Sequence, residues 1–376
     1  MLAGVVMKEA LLEAIEGSDS KGALKRLASM TKKGEKAWDI HLALFPVAQR
    51  VLNPPFINPH LPKMYGVFRD LIPYLEEKQI EPLVRLEVNE YARRPKVERF
   101  TNGKVIAEPV SFADVEAAIG ANDPEKTTAF LSAYCRTEGR RELARKLLLL
   151  GSGYLEQSIG HSVSCTAFIL LEMLERVEED PLPTLWALAH YFCQGRFQKM
   201  PRLRVPAVAA SEHALRQAAL KATSGRGFVN LHHTIILYAV ERVGHLFTPE
   251  ERGHLRAACD AFIGIKDVKE VALSKERSVF LTDYPQFYQI FSRREAVPVV
   301  ALLFGLTGSA DGTHRLGQFL VRGVCDVYNG NYDPHFLTGL GAALWAVNRF
   351  AAGPGIAANA LYQYADYFFG TEHHQR

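Results

Sequence analysis

Apolar residues recur at spacings of three and four along nearly the whole chain, the period of helices with one buried face. The pattern is clear over residues 5–16 (VVMKEALLEAIE) and 36–52 (KAWDIHLALFPVAQRVL). Asn53-Pro54-Pro55 ends the second of these, and Pro59 and Pro62 frame the next start. Proline has no N–H to give to a helix interior, so it marks boundaries. Residues 62–78 and 80–93 read as two further helices. The same period predicts helices near 111–119, 123–136, 138–150, 152–178, 182–195, 210–222, 228–246, 248–262, 283–291, 294–307, 312–328, 333–350 and 354–369. Ser111 with Asp114 fits a capping box, and Thr248-Pro249-Glu250-Glu251 is a well-formed helix start, with acids facing the positive end. One stretch reads as β. Val97 to Phe100 and Val105 to Glu108 flank Thr101-Asn102-Gly103-Lys104, and Asn-Gly suits the positive φ angles of a type I′ turn. Residues 196–209 and 263–282 are the least regular, and the first reads as either a linker or a loop lining a pocket. The expected fold is all-α: one large helical domain over 1–376 with a small β-hairpin near 97–108, and residues 1–95 as a candidate helical subdomain.

The composition narrows the class. The chain has 376 residues, 48% hydrophobic and 23% charged, which is the balance of a globular protein. Its net charge of +3 gives no strong footprint for nucleic acid or an anionic membrane. The five cysteines, Cys135, Cys165, Cys193, Cys259 and Cys325, are too dispersed for a CxxC knuckle and fit a reducing compartment. The apolar run before Lys8 is short for a signal peptide, and the run from 296 to 308 is short for a membrane span. The expectation is a cytoplasmic protein, with neither nucleic acid nor membrane as partner. The oligomeric state is not encoded in any pattern here.

The common chemistry motifs are missing. There is no GxxxxGK[ST], no GxGxxG after a strand, no GxSxG, no HExxH and no paired ExxH. The lone Glu251-x-x-His254 reads as a polar helix start.

The histidines hold more information. Four of the thirteen share a setting: His60 in NPHLPKMYGVF, His161 in SIGHSVSCTAFILL, His233 in VNLHHTIILYAV and His335 in YDPHFLTGLGAALWAV. Each lies near the start of a strongly apolar helix. The positive helix end disfavours protonation there, and neutral imidazole is the form that binds metals. Four such helices could converge on one ion, with iron, copper, zinc or nickel suited to imidazole. Neighbouring His232 points about 100° away from His233 on a helix, so one of the two is expected to face the core. His190, with Cys193 a turn later, is a reserve pair, and His41 reads as packing. Histidines at helix starts also serve as ordinary buried, hydrogen-bonded residues, so a carrier or scaffold without metal fits the same pattern.

Four segments resemble those of the questin oxidase-like proteins, a group of all-α non-haem metal oxygenases. Asn58-Pro59-His60-Leu61-Pro62-Lys63-Met64 is similar to the family's Asn-His-Leu-Pro-Met, with Pro59 and Lys63 as additions. Gly160-His161-Ser162-Val163 resembles its His-Gly-x-Ile. Leu231-His232-His233-Thr234-Ile235 resembles its His-Ala-Val-Thr. Asp333-Pro334-His335-Phe336-Leu337-Thr338 resembles its His-x-Ile-Lys-Leu-Thr-Glu. The order and rough spacing agree across about residues 50–350. Leu337 stands where the family has lysine. If a modified lysine is a ligand there, Lys63 or Lys266 would have to replace it, and both are expected to face solvent.

The resemblance implies a mononuclear non-haem iron held by His60, His161, His233 and His335. It further implies dioxygen and a small aromatic polyketide-like substrate as partners, ring opening or carbon–carbon cleavage as the reaction, and NADPH as an open question. Aromatics that could stack on such a substrate are Tyr65, Phe68, Tyr154, Phe168, Trp186, Phe228, Tyr284, Phe287, Tyr288 and Trp345. Ser162, Ser164, Cys165 and Thr166 could support His161. A metal hydrolase on the same histidines would need a general base, for which Glu156 and Glu87 are the candidates. Lys199, Arg202 and Arg204 could bind an acidic group at a pocket mouth.

Overall fold

The computed structural model describes residues 2–52, 59–101, 106–197, 202–203, 205, 211–265, 268, 283–296, 298–300, 302, 310–328, 330, 333–351 and 354–370. Helices account for most of them, and the all-α reading holds. Their buried faces merge into one apolar core that runs from Leu11 to Phe369. A smaller cluster around Leu215, Leu237 and Ile356 lies beside it. No described helix is long and apolar enough to cross a membrane.

The expected hairpin is not formed by the described residues. Its turn, 102–105, lies outside them, and the flanking residues join no ladder. The backbone there has another partner. Val97 N–H donates to Arg50 O at 2.8 Å, Leu52 N–H donates to Pro95 O at 2.9 Å, and Val51 and Lys96 form an isolated antiparallel bridge.

Several boundaries differ from the expected ones for local reasons. Ser20–Lys32 is a helix that the apolar spacing does not predict. It carries Ala23, Leu27 and Met30 on its buried face, and Asp19 caps its start by accepting from Gly22 N–H. The expected helix 36–52 splits into Ala37–Ala43 and Phe45–Ala48, because Pro46 can only sit in a first turn. The run Pro124–Ser152 breaks at Gly139, whose φ of 87° no other residue type adopts freely. The expected helix 152–178 breaks at Ile159 and Gly160, both left-handed (φ 52° and 78°). That break makes His161 the first residue of a new helix, His161–Glu175. A β-branched residue in this conformation is strained, and such strain tends to gather at functional sites.

Four helices bring the buried histidines together. His60–Leu71 packs on His161–Glu175, which packs on Gly227–Val243, which packs on His335–Arg349, which returns to His60–Leu71. They form a closed ring of four. Each carries a histidine in its first or second turn, so their N-terminal ends meet at one place.

Candidate metal centre

The meeting point holds four buried imidazoles. His60, His161 and His335 each offer a ring nitrogen, and these nitrogens all lie within 4.8 Å of one another. His232 joins them. Its Nε2 is 3.3 Å from His161 Nε2, and His60 Nε2 is 2.8 Å from that same atom. His335 packs edge-on against His60 and His232, with ring centres 5.2 and 4.7 Å apart. All four residues are at most 5% exposed.

Three of the outer nitrogens are tied down. His161 Nδ1 is 2.6 Å from Ser158 O, and His232 Nδ1 is 2.8 Å from Phe228 O. A carbonyl oxygen can only accept, so each Nδ1 carries the proton and each Nε2 presents a lone pair. His335 Nδ1 lies 2.8 Å from Asp333 Oδ1, the usual carboxylate support of a metal-binding histidine. Its Nε2 is buried and has no hydrogen-bond partner. Asp333 also accepts from the hydroxyl of Tyr367. Burial alone would raise the Asp333 pKa, but the bonds from His335 and Tyr367 outweigh it and hold the carboxyl below its ordinary range.

Protonation does not resolve the contact between His161 and His232. Burial, reinforced by the neighbouring imidazoles and Lys63, holds His60, His161 and His232 well below the ordinary histidine pKa. His161 Nε2 and His232 Nε2 therefore face each other as two lone pairs with no proton between them. A cation removes that conflict. Two nitrogens each about 2.0–2.1 Å from one ion stand about 2.9 Å apart at a right angle and about 3.3 Å apart at a tetrahedral angle. The observed separations of 2.8 and 3.3 Å fit that donor set.

One expected ligand is elsewhere. His233 turns its ring away and packs edge-on against Phe262, 5.3 Å between centres, while His232 takes the place in the cluster. Residues 231–240 are buried all round, so the helix has no polar face from which to read which histidine points inward. Burial lowers the His233 pKa to about 4.

Lys63 overturns its solvent-facing expectation. It is fully buried, and its Nζ donates to Ser164 Oγ at 3.2 Å. Burial lowers its pKa. It lies one turn after His60 on the same helix, and Ser164 lies one turn after His161, so the amine bridges the two helix starts that carry these ligands. Lys266 lies outside the described residues, as do Lys199 and Arg204. Arg202 donates to Tyr154 Oη and pairs with Glu116, away from the centre.

Of the aromatics expected around a substrate, Phe228 is the one that touches the imidazoles, 4.5 Å from His232 and 5.0 Å from His335 between ring centres. It is also 45% exposed, so it stands between the centre and solvent. Trp186 stacks on His190 instead, Phe68 on His41, and Tyr284 packs with Phe287 and Phe319. His190 thus has no place in the cluster, and Cys193 contacts Thr127. Tyr367, 5.9 Å from His335 between ring centres, is a neighbour that the sequence patterns do not single out.

Around His161, Ser162 Oγ donates to Gly151 O at 2.7 Å, joining two helices that touch closely. An ideal Cβ on Gly151 would sit 2.4 Å from Ser162 O. Burial pushes the Cys165 thiol up to about 11, so it is held as an inert thiol. The two acids proposed as bases are not at the centre. Glu87 is bonded to His41 at 2.7 Å, and Glu156 is exposed.

Compared with family models, with curated proteins and with solved structures, the chain gives no match.

Proposed function

We propose that this chain is a mononuclear non-haem iron oxygenase whose metal is held by His60, His161, His232 and His335, and whose substrate is a small aromatic molecule of polyketide type. The observation that carries the metal part is the facing pair of Nε2 lone pairs on His161 and His232, buried and unprotonated. Imidazoles whose outer nitrogens are held by fixed acceptors, as in His161, His232 and His335, are ligands oriented in advance. Imidazole-rich sites suit iron, and also copper, nickel and zinc. Iron is favoured by the resemblance of the four histidine segments to the questin oxidase-like proteins, which also supplies the substrate class and the use of dioxygen.

Each protein group has a task in this reading. A bound iron would supply electron transfer and dioxygen chemistry. Asp333 orients His335 and makes it a stronger donor, and Tyr367 fixes Asp333. Phe228 covers the imidazoles on the solvent side and offers a ring face to a planar substrate. NADPH as reductant is an open part of the proposal.

A hydrolase on the same ligands is less well supported. It needs a general base within reach of a metal-bound water. Asp333 is bonded to His335 and Tyr367, and Glu87 and Glu156 are elsewhere. The deciding experiment is elemental analysis of untagged protein and of the His60→Ala, His161→Ala, His232→Ala and His335→Ala variants. Near-stoichiometric iron in the parent, lost in each variant, is the expected result. Zinc would move the assignment to a hydrolase. No metal after reconstitution with ferrous iron would leave a carrier or scaffold with structural histidines.

A further inference from the structure

The charges around the centre do not balance. A divalent ion among four neutral imidazoles keeps both its charges, and Asp333 is the one carboxylate bonded to the ligand set among the described residues. Lys63 adds a cationic group at the same place. Its side chain is wholly buried, and among the described residues its one hydrogen-bond partner is the neutral Ser164. A buried ammonium is normally paired with an acid, because its desolvation is otherwise uncompensated.

The helices push in the same direction. The first turns of His60–Leu71, His161–Glu175 and His335–Arg349, and the second turn of Gly227–Val243, bring their positive ends to this point. Each such end carries about half a positive charge and favours an anion. Four aligned together repel one another unless negative charge lies between them.

We infer that the centre takes its exogenous ligand as an oxygen anion, a phenolate or carboxylate, which binds the metal and accepts a hydrogen bond from Lys63. The inference rests on the metal-centre reading above and names the charge of the substrate. Lys63 then discriminates between substrates: a hydroxylated aromatic ring that ionises is accepted, and its O-methyl ether is refused. The inserted Lys63, between Pro62 and Met64, thus has a task that the neighbouring apolar residues cannot perform.

The test uses cobalt(II)-substituted protein, titrated with sodium azide as a small anion and with imidazole as a neutral donor, by visible absorption. The parent is compared with Lys63→Met and Lys63→Gln, after cobalt content and thermal melting are checked in each. Azide binding should weaken in Lys63→Met by roughly tenfold to a hundredfold, the loss expected for one charge-assisted hydrogen bond. Imidazole binding should stay as in the parent. Lys63→Gln, which keeps an N–H donor without the charge, should fall between. Equal azide affinity in all three proteins would overturn the inference and leave the metal centre standing. Loss of cobalt from both variants with unchanged melting would make Lys63 a support of the ligands and would also overturn it. A parent that binds no cobalt, iron or zinc would overturn both readings.

Discussion

Asp333 offers the sharpest test of whether the histidines are ligands or only packed side chains. Its Oδ1 accepts from His335 Nδ1 at 2.8 Å and from the His335 backbone N–H at 2.9 Å. Its other oxygen accepts from Tyr367. Asp333→Asn keeps an oxygen in place for the ring and the backbone but removes the charge. Asp333→Ala removes both bonds and frees the ring to turn. Loss of such a supporting partner usually costs about 10–100-fold in metal affinity, or roughly 1.4–2.7 kcal/mol. Asp333→Asn should lie near the lower end and Asp333→Ala near the upper. The apo protein should respond less to Asn, because a buried charge disappears together with the bond it makes. Chelator competition at fixed pH gives the metal affinities, and chemical denaturation with and without metal gives the stabilities. If Asp333→Ala bound metal as tightly as the parent, His335 would not be a ligand oriented by Asp333, and the reasoning would be refuted.

Other outcomes depend on the same geometry. His232→Ala should abolish metal binding while His233→Ala leaves it near the parent value, and the reverse result would show the register to be wrong. His233 binds its proton near 4 in the folded chain and near 6.5 in the unfolded chain. Its unfolded form takes up the proton first, so stability should fall as pH drops from 6.5 toward 4, by about 3 kcal/mol at most. His233→Phe should flatten that part of the pH profile measured by denaturant unfolding. Gly151→Ala forces the helix Pro124–Ser152 away from the one that carries His161 and Ser162. It should destabilise by about 1–3 kcal/mol, and unchanged denaturation would show that the contact relaxes freely.

Much of the fold was legible because its helices carry strong punctuation. Ser111, Thr248 and Asp123 cap helices by accepting N–H bonds, and Pro124 and Pro249 sit in first turns. The misses have physical causes. Ser20–Lys32 buries small and medium residues among lysines, so its apolar stripe is thin. The 97–108 turn signal was real as sequence, but residues 95–97 give their backbone bonds to residues 50–52. Three of the four clustered histidines were visible from their shared place at helix starts. The fourth was missed by one residue, since a helix buried on every side has no polar face to fix its rotation. The Asp333-x-His335 spacing was present in the sequence and could have pointed to carboxylate support. The burial of Lys63 could not have been read so, because a lysine among apolar neighbours is normally taken to reach solvent.

The ring of four helices has a consequence for the order of events in folding. Its members come from widely separated parts of the chain, and the ring closes when the helix beginning at His335 packs back on the one beginning at His60. Long loops must be closed before that contact forms, which makes it a slow and costly step. The nascent chain has no complete centre until residue 335 has been made and has docked. If the centre takes an ion as proposed, its capture is a check on completion: a chain truncated before the fourth helix, or one with that helix undocked, would lack a ligand. Loading would report that the whole ring has assembled, and an ion once bound would slow its reopening.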